Sequence, residues 1–208
     1  MNCVSPQEME DNGSINVKVV AVGERRSGKT HLLFTLTEKT PVRNFSEIVY
    51  SFKSISVKSA DGKQLEIAFF STDDKEDFDS FSPILYPESD LILACYSIVN
   101  PDSFWSIPDR WIPEVRLYLP KVPILLVGCC KEQRTDPKIL QKLKERDQEP
   151  ILYEEGCQMA QSIGAVGYLE CSPTTADGVP ELLEAISKEA LRFVEKKMRG
   201  RRSSCVIL

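Results

Sequence analysis

No stretch of this 208-residue chain stays apolar for the ~18–20 residues needed to cross a bilayer, and no signal-peptide core stands near its N-terminus. There is no C-x-x-C pair among its seven cysteines, at 3, 95, 129, 130, 157, 171 and 205. Most of them sit in apolar runs, which fits reduced core thiols of a cytosolic protein, with Cys205 the exception. Positive charge is also scarce: the net charge is −5, which excludes a general nucleic-acid binder and gives no nucleic-acid partner. What basic charge matters gathers at the C-terminus. Hydrophobic content of 42% and charged content of 27% are globular values, and the length suits one domain with a real core. Residues 1–14, polar and acidic, read as a flexible extension.

The chain is organised around Gly23-Glu24-Arg25-Arg26-Ser27-Gly28-Lys29-Thr30, which fits G-x-x-x-x-G-K-[ST]. Chance gives such a match in about one chain in a hundred of this length. Here the context agrees as well. Val17–Val22 is β-branched and mostly apolar, as a buried strand is, and His31–Leu36 carries apolar residues that open a helix. Strand, glycine loop and helix make an anion site in which backbone N–H groups converge on phosphate oxygens. Gly23, Arg25, Arg26, Ser27, Gly28 and Lys29 are the candidate phosphate residues; Lys29 reaches the terminal phosphates and the Thr30 hydroxyl ligates magnesium.

Beyond it, Glu38–Phe45 reads as a loop and 48–58 as a strand, with a turn at Asp61-Gly62 and a return strand over Gln64–Phe70. Asp90–Tyr96 and Val122–Gly128 read as strands buried on both faces. Asp102–Leu119 carries a helical stripe that Pro108 and Pro113 disturb, with Trp105 and Trp111 expected in core or edge packing. The charged segment Lys131–Pro150 spaces Ile139, Leu140 and Leu143 for an exposed amphipathic helix, as a solvated insert or a partner surface. Tyr153–Ile163 is helical, Gly167–Cys171 a short strand, and a last helix starts near Pro180. This alternation predicts an α/β fold: a mostly parallel six-stranded sheet with one antiparallel edge strand and helices on both faces.

The sequence resembles Rho-family small GTPases of the Rac and Rho branches. Leu85–Asp90, Trp111–Arg116, Val122–Gly128 and Ile163–Ser172 carry the resemblance, which runs from about Val17 to the C-terminus. It implies a Ras-like P-loop domain over 15–195, a Rho-type insert helix at about 136–148, guanine nucleotide (GTP/GDP) with Mg²⁺, two switch loops, and Rho-type effectors and regulators around a monomer.

Several positions depart from that pattern. Arg25 stands where the family has glycine, and its bulk obstructs groups that stabilise hydrolysis. No threonine lies between Pro41 and Phe70 to serve magnesium and the γ-phosphate; Glu47 aligns nearest. The Asp-x-x-Gly-Gln segment reads Ser71-Thr72-Asp73-Asp74-Lys75, so the metal-binding aspartate is Ser71 and the γ-phosphate-sensing glycine is Asp74. Lys75 occupies the water-orienting glutamine position and cannot accept a hydrogen bond, leaving no residue assigned to catalysis. The base-reading lysine is Cys130, and Glu132 replaces aspartate, while Ser172-Pro173 keeps the loop beside the base. Nucleotide and Mg²⁺ are both expected to bind more weakly than in the family.

The chain ends Cys205-Val206-Ile207-Leu208, a C-a-a-X signal whose leucine favours geranylgeranyl, behind a polybasic segment within 196–208. A lipid plus basic residues gives two membrane signals, placing the protein on the cytoplasmic face of the plasma membrane or endomembranes with a cytosolic pool. Three readings stay open: a hydrolysis-deficient signalling adaptor, an active GTPase switch with substituted residues, and a nucleotide-independent scaffold.

Overall fold

The computed structural model describes residues 14–38, 53–71 and 85–204, with side chains as far as 199. The N-terminal extension, Glu47 with the rest of the first switch, Thr72–Lys75 and Cys205 lie outside the described residues. The strands are β1 (Ile15–Val22), β2 (Lys53–Lys58), β3 (Gln64–Ser71), β4 (Leu91–Ser97), β5 (Ile124–Cys129) and β6 (Gly167–Glu170). They form one sheet in the order β2-β3-β1-β4-β5-β6, parallel except for the β2–β3 hairpin pairing. Edge strand β2 begins and ends in lysine, charges that discourage pairing with a further strand.

Side chains alternate across the pleat, and the alternation sorts the core into two layers. Val17, Val19, Ala21, Leu93, Cys95, Val127 and Cys129 face α1 (Lys29–Glu38) and the C-terminal helix. Val20, Val22, Ile92, Ala94, Tyr96, Ile124 and Leu126 face the helices over residues 101–118 and 153–162. Helix α2 has three segments: Pro101–Ser106, a π-helical Ile107–Trp111, and Ile112–Tyr118. Pro108 and Pro113 lack the N–H groups an α-helix needs, and Ile112 N–H instead reaches back five residues to the Ile107 carbonyl. Trp111 is buried, whereas Trp105 lies at the surface with its ring edge-on to Phe104 at 5.1 Å.

The insert helix α3 (Pro137–Lys144) is shorter than the 136–148 expected. Asp136 caps it, its Oδ1 accepting from Lys138 N–H at 2.8 Å. Leu143 is its one buried side chain; no apolar residue follows before Ile151, and Asp147 turns left-handed (φ 56°). Helix α4 spans Tyr153–Ser162 and α5 Val179–Ser204, so α5 continues as one helix past residue 195. No helix among the described residues is long and apolar enough to cross a membrane.

Candidate functional site

The loops after β1, β5 and β6, together with the end of β3, gather at the C-terminal edge of the parallel strands, where open α/β sheets place ligands. The phosphate loop is shaped by two glycines. Gly23 (φ 147°) carries no Cβ because one would lie 2.1 Å from the Cys95 carbonyl oxygen. Gly28 (φ 89°) has a Cβ position only 2.7 Å from Cys129 Cβ. Lys29 is buried beneath the loop, its Nζ donating to the Glu24 carbonyl at 3.3 Å, and Thr30 opens α1 beside it. Arg25 and Arg26 are exposed, and Arg26 holds the left-handed conformation (φ 64°), at roughly 1–2 kcal/mol for a side chain with a Cβ. Glu24 is tied to α2 by Arg110, Nη1 to Oε1 3.2 Å. Ser71, with its neutral hydroxyl, closes β3 in register with Ala21.

The second half of the site is a pair of stitched loops. Cys130 follows β5 in a left-handed conformation (φ 65°), with its Sγ 3.7 Å from the Cβ position of Gly28. Lys131–Gln133 forms a short 3-10 turn, and Lys131 N–H donates to the Cys171 carbonyl at 3.2 Å. Ser172 is buried; its N–H reaches the Asp177 carbonyl and its hydroxyl accepts from Thr175 N–H. Lys131 Nζ pairs with Asp177 at 2.8 Å, which raises the lysine pKa. Thr35 of α1 donates to the Pro173 carbonyl at 3.1 Å, joining the two halves. Burial pushes the Cys130 thiol up to about 11, although a Ser97 hydrogen bond opposes it. Hydrogen bonds with Cys171 and Cys95, and then burial, hold the Cys129 thiol well above its ordinary range.

Phosphate-loop residues 23–30 and the loops carrying Cys130, Glu132 and Ser172 are thus brought together. Two buried polar atoms at this edge, Ser27 Oγ and Glu132 Oε2, find no hydrogen-bond partner among the described residues. Polar atoms orphaned in this way, above a cradle whose Cβ positions must be vacant, fit an anionic ligand with N–H donors. On the metal side, Thr30 at the start of α1 offers a hydroxyl, and the described residues hold no cluster of three acidic, cysteine or histidine ligands. Sequence reasoning missed the bidentate Arg134–Glu170 pair and the Tyr96–Tyr168 contact behind the base loops. Arg134 lay inside a run read as solvated insert, and nothing in its spacing pointed to Glu170.

A sequence profile of the Ras family matches residues 18–192. A GTP-binding protein RHO1 from Candida albicans is 39% identical over 191 residues, covering 92% of this chain and 95% of that relative. The chain belongs to the Rho family of small GTPases. Its six-stranded Ras-like sheet is the fold that membership implies.

Proposed function

We propose that this Rho-family protein is a prenyl-anchored GTP-binding signalling protein that holds guanine nucleotide but hydrolyses it little or not at all. In this reading the Ras-like domain covers 15–195 and the basic C-a-a-X tail 196–208. The observation that supports it is the contrast within one edge of the sheet: Gly23 and Gly28 leave no room for a Cβ and Lys29 is buried beside them, while Ser71 ends β3 nearby without a carboxylate. Phosphoryl transfer by such proteins is almost all positioning and electrostatics, so loss of the metal and water-orienting groups removes most of the rate.

Gly23 to Thr30 would hold the phosphates, with Lys29 supplying charge, Ser27 and backbone N–H groups supplying hydrogen bonds, and Thr30 a hydroxyl for Mg²⁺. When bound, Mg²⁺ neutralises charge on the phosphates; lacking the aspartate at Ser71, this chain grips it weakly. Glu132 would accept from the guanine N–H groups through its unpartnered Oε2, and Ser172 would shape the neighbouring loop. Cys130, a short thiol in place of a lysine stem, covers less of the base and lowers affinity. With Asp74 and Lys75 at the γ-phosphate and water positions, the switch surface reports nucleotide state poorly. The protein then acts as a constitutive or nucleotide-weak adaptor for Rho-type effectors, monomeric and anchored by geranylgeranyl on Cys205.

Denaturing the purified protein and identifying the released nucleotide tests this reading. Stoichiometric GTP supports it. GDP with measurable turnover would favour the active switch, and an empty pocket the nucleotide-independent scaffold.

A further inference from the structure

The nucleotide loops occupy one end of the sheet; the other end carries a different feature. There the loop entering β5 (Pro120–Pro123), the loop entering β6 (Gly164–Val166) and the last turns of α5 enclose a groove of about 670 Å³. Its rim holds Arg116, Lys121, Arg192, Lys196 and Arg199 against only Glu189 and Glu195. The two acids offset part of that charge: Glu189 pairs with Arg192 of the same rim at 3.2 Å, while Glu195 pairs with Lys63 of the β2–β3 hairpin turn and also interacts with Arg199. Lys121 and Lys196 meet no carboxylate among the described residues. Arg116 is fixed by donating to the Val122 carbonyl at 2.7 Å, which sets its guanidinium into the wall.

Two geometric facts give this groove a direction. Arg192, Lys196 and Arg199 recur at helical spacing, so they share one stripe of α5 that faces across to Lys121 and Arg116. Half-buried Phe193 and exposed Val166 line the same groove, giving it an apolar floor beneath a cationic rim. The helix bearing the stripe runs to Ser204, one residue before Cys205, at the end of the domain away from the phosphate loop.

We propose that this groove is a docking site on the folded domain for anionic phospholipid headgroups at a membrane surface, in which Arg116, Lys121 and Arg192 extend the basic tail's Lys196 and Arg199 onto the domain. A phosphate-bearing headgroup suits the rim, and the apolar floor suits the glycerol region just below it. The site would hold the long axis of α5 toward the bilayer and turn the nucleotide edge to the cytoplasm. It rests on the proposed membrane anchoring, but its test does not need the prenyl group.

The test uses the full chain carrying Cys205→Ser, so that no prenyl group contributes, with vesicles of phosphatidylcholine alone or mixed with phosphatidylserine. The parent is expected to sediment with the anionic vesicles only. Neutralising the groove in Lys121→Gln/Arg192→Gln, both outside the 196–208 tail, should lower partitioning about thirtyfold, taking ~1 kcal/mol per charge near an anionic surface. Arg201→Gln/Arg202→Gln, a tail-only comparison, should add its own loss independently. All four positions are charged, so unchanged melting curves report intact folding. Full vesicle affinity in the groove variant would overturn the site, as would a chain that ignores vesicles yet is captured through these residues by an acidic protein. Whether the natural cysteine is lipidated is read separately, from the mass of the wild-type chain made in cells.

Discussion

Arg134 grips both carboxylate oxygens of Glu170, Nη1 to Oε2 at 2.7 Å and Nη2 to Oε1 at 2.5 Å, from the loop after β5 to the end of β6. The same carboxylate accepts from the Tyr168 hydroxyl at 2.6 Å, and Tyr168 meets Tyr96 of β4 at 2.6 Å. Burial raises the pKa of both tyrosines, which keeps them as neutral hydrogen-bonding groups. Arg134 also donates to the Ile151 carbonyl at 2.9 Å. One guanidinium therefore fixes the two loops that carry Glu132 and Ser172.

Replacing Arg134 by alanine leaves the Glu170 carboxylate, whose side chain is only 6% exposed, without its cation. An uncompensated buried charge of this kind costs about 3–5 kcal/mol. The denaturant midpoint of Arg134→Ala should fall accordingly, and Glu170→Gln, which retains a neutral acceptor for Tyr168, should lose less. Equal, small losses in both would show that the pair is not buried as described.

Gly28→Ala asks a side chain to enter both a left-handed backbone and the space of Cys129. Strain of roughly 1–3 kcal/mol is expected. Calorimetry should show a lowered melting temperature together with weaker binding of a fluorescent guanine nucleotide. Shrinking the neighbour, in Gly28→Ala/Cys129→Gly, should recover only the part due to the clash.

The raised Cys130 thiol gives a pH dependence. Between its ordinary pKa, near 9, and the folded value of about 11, the unfolded chain loses its proton while the folded chain keeps it. Stability contributed by the neutral thiol is therefore complete below pH 9 and is lost as pH rises toward 11, by about 2–3 kcal/mol. Cys129 shifts in the same direction. Urea midpoints measured from pH 8 to 11 should decline, and Cys130→Ala should flatten part of the slope. Alkylation of Cys130 by iodoacetamide at neutral pH should be slow for the same reason.

Base reading is tested at Glu132. Glu132→Asp shortens the side chain by one methylene, to the family's length, and should tighten guanine nucleotide binding ten- to a hundredfold, about 1–3 kcal/mol. Glu132→Ala should weaken it. Adenine nucleotides, which present a different edge, should respond to neither change in titration calorimetry.

Much of the fold was legible because its signals are local and redundant. Buried runs such as Leu91–Cys95, the Asp61-Gly62 turn and the phosphate-loop spacing each indicate one structure, and the mostly parallel sheet follows from alternating strands and helices. Pro108 and Pro113 announced a disturbed α2 but not its π-helical form, since that depends on which distant carbonyl is left within reach. The end of α3 was misjudged because helical propensity continues beyond Leu143 while burial does not. Arg134–Glu170, 36 residues apart, and the basic groove assembled from three segments depend on folded proximity. Neither leaves a mark in spacing.

The central claim is a phosphate cradle that retains nucleotide without cleaving it. Phosphate release from GTP by the purified full chain with Mg²⁺, measured in a single turnover, tests it most directly. The account predicts release no faster than GTP alone in buffer. It further predicts recovery when Arg25→Gly, Ser71→Asp, Asp74→Gly and Lys75→Gln are combined. Release by the unaltered chain at the rate of a Rho protein that keeps all four family residues would contradict it.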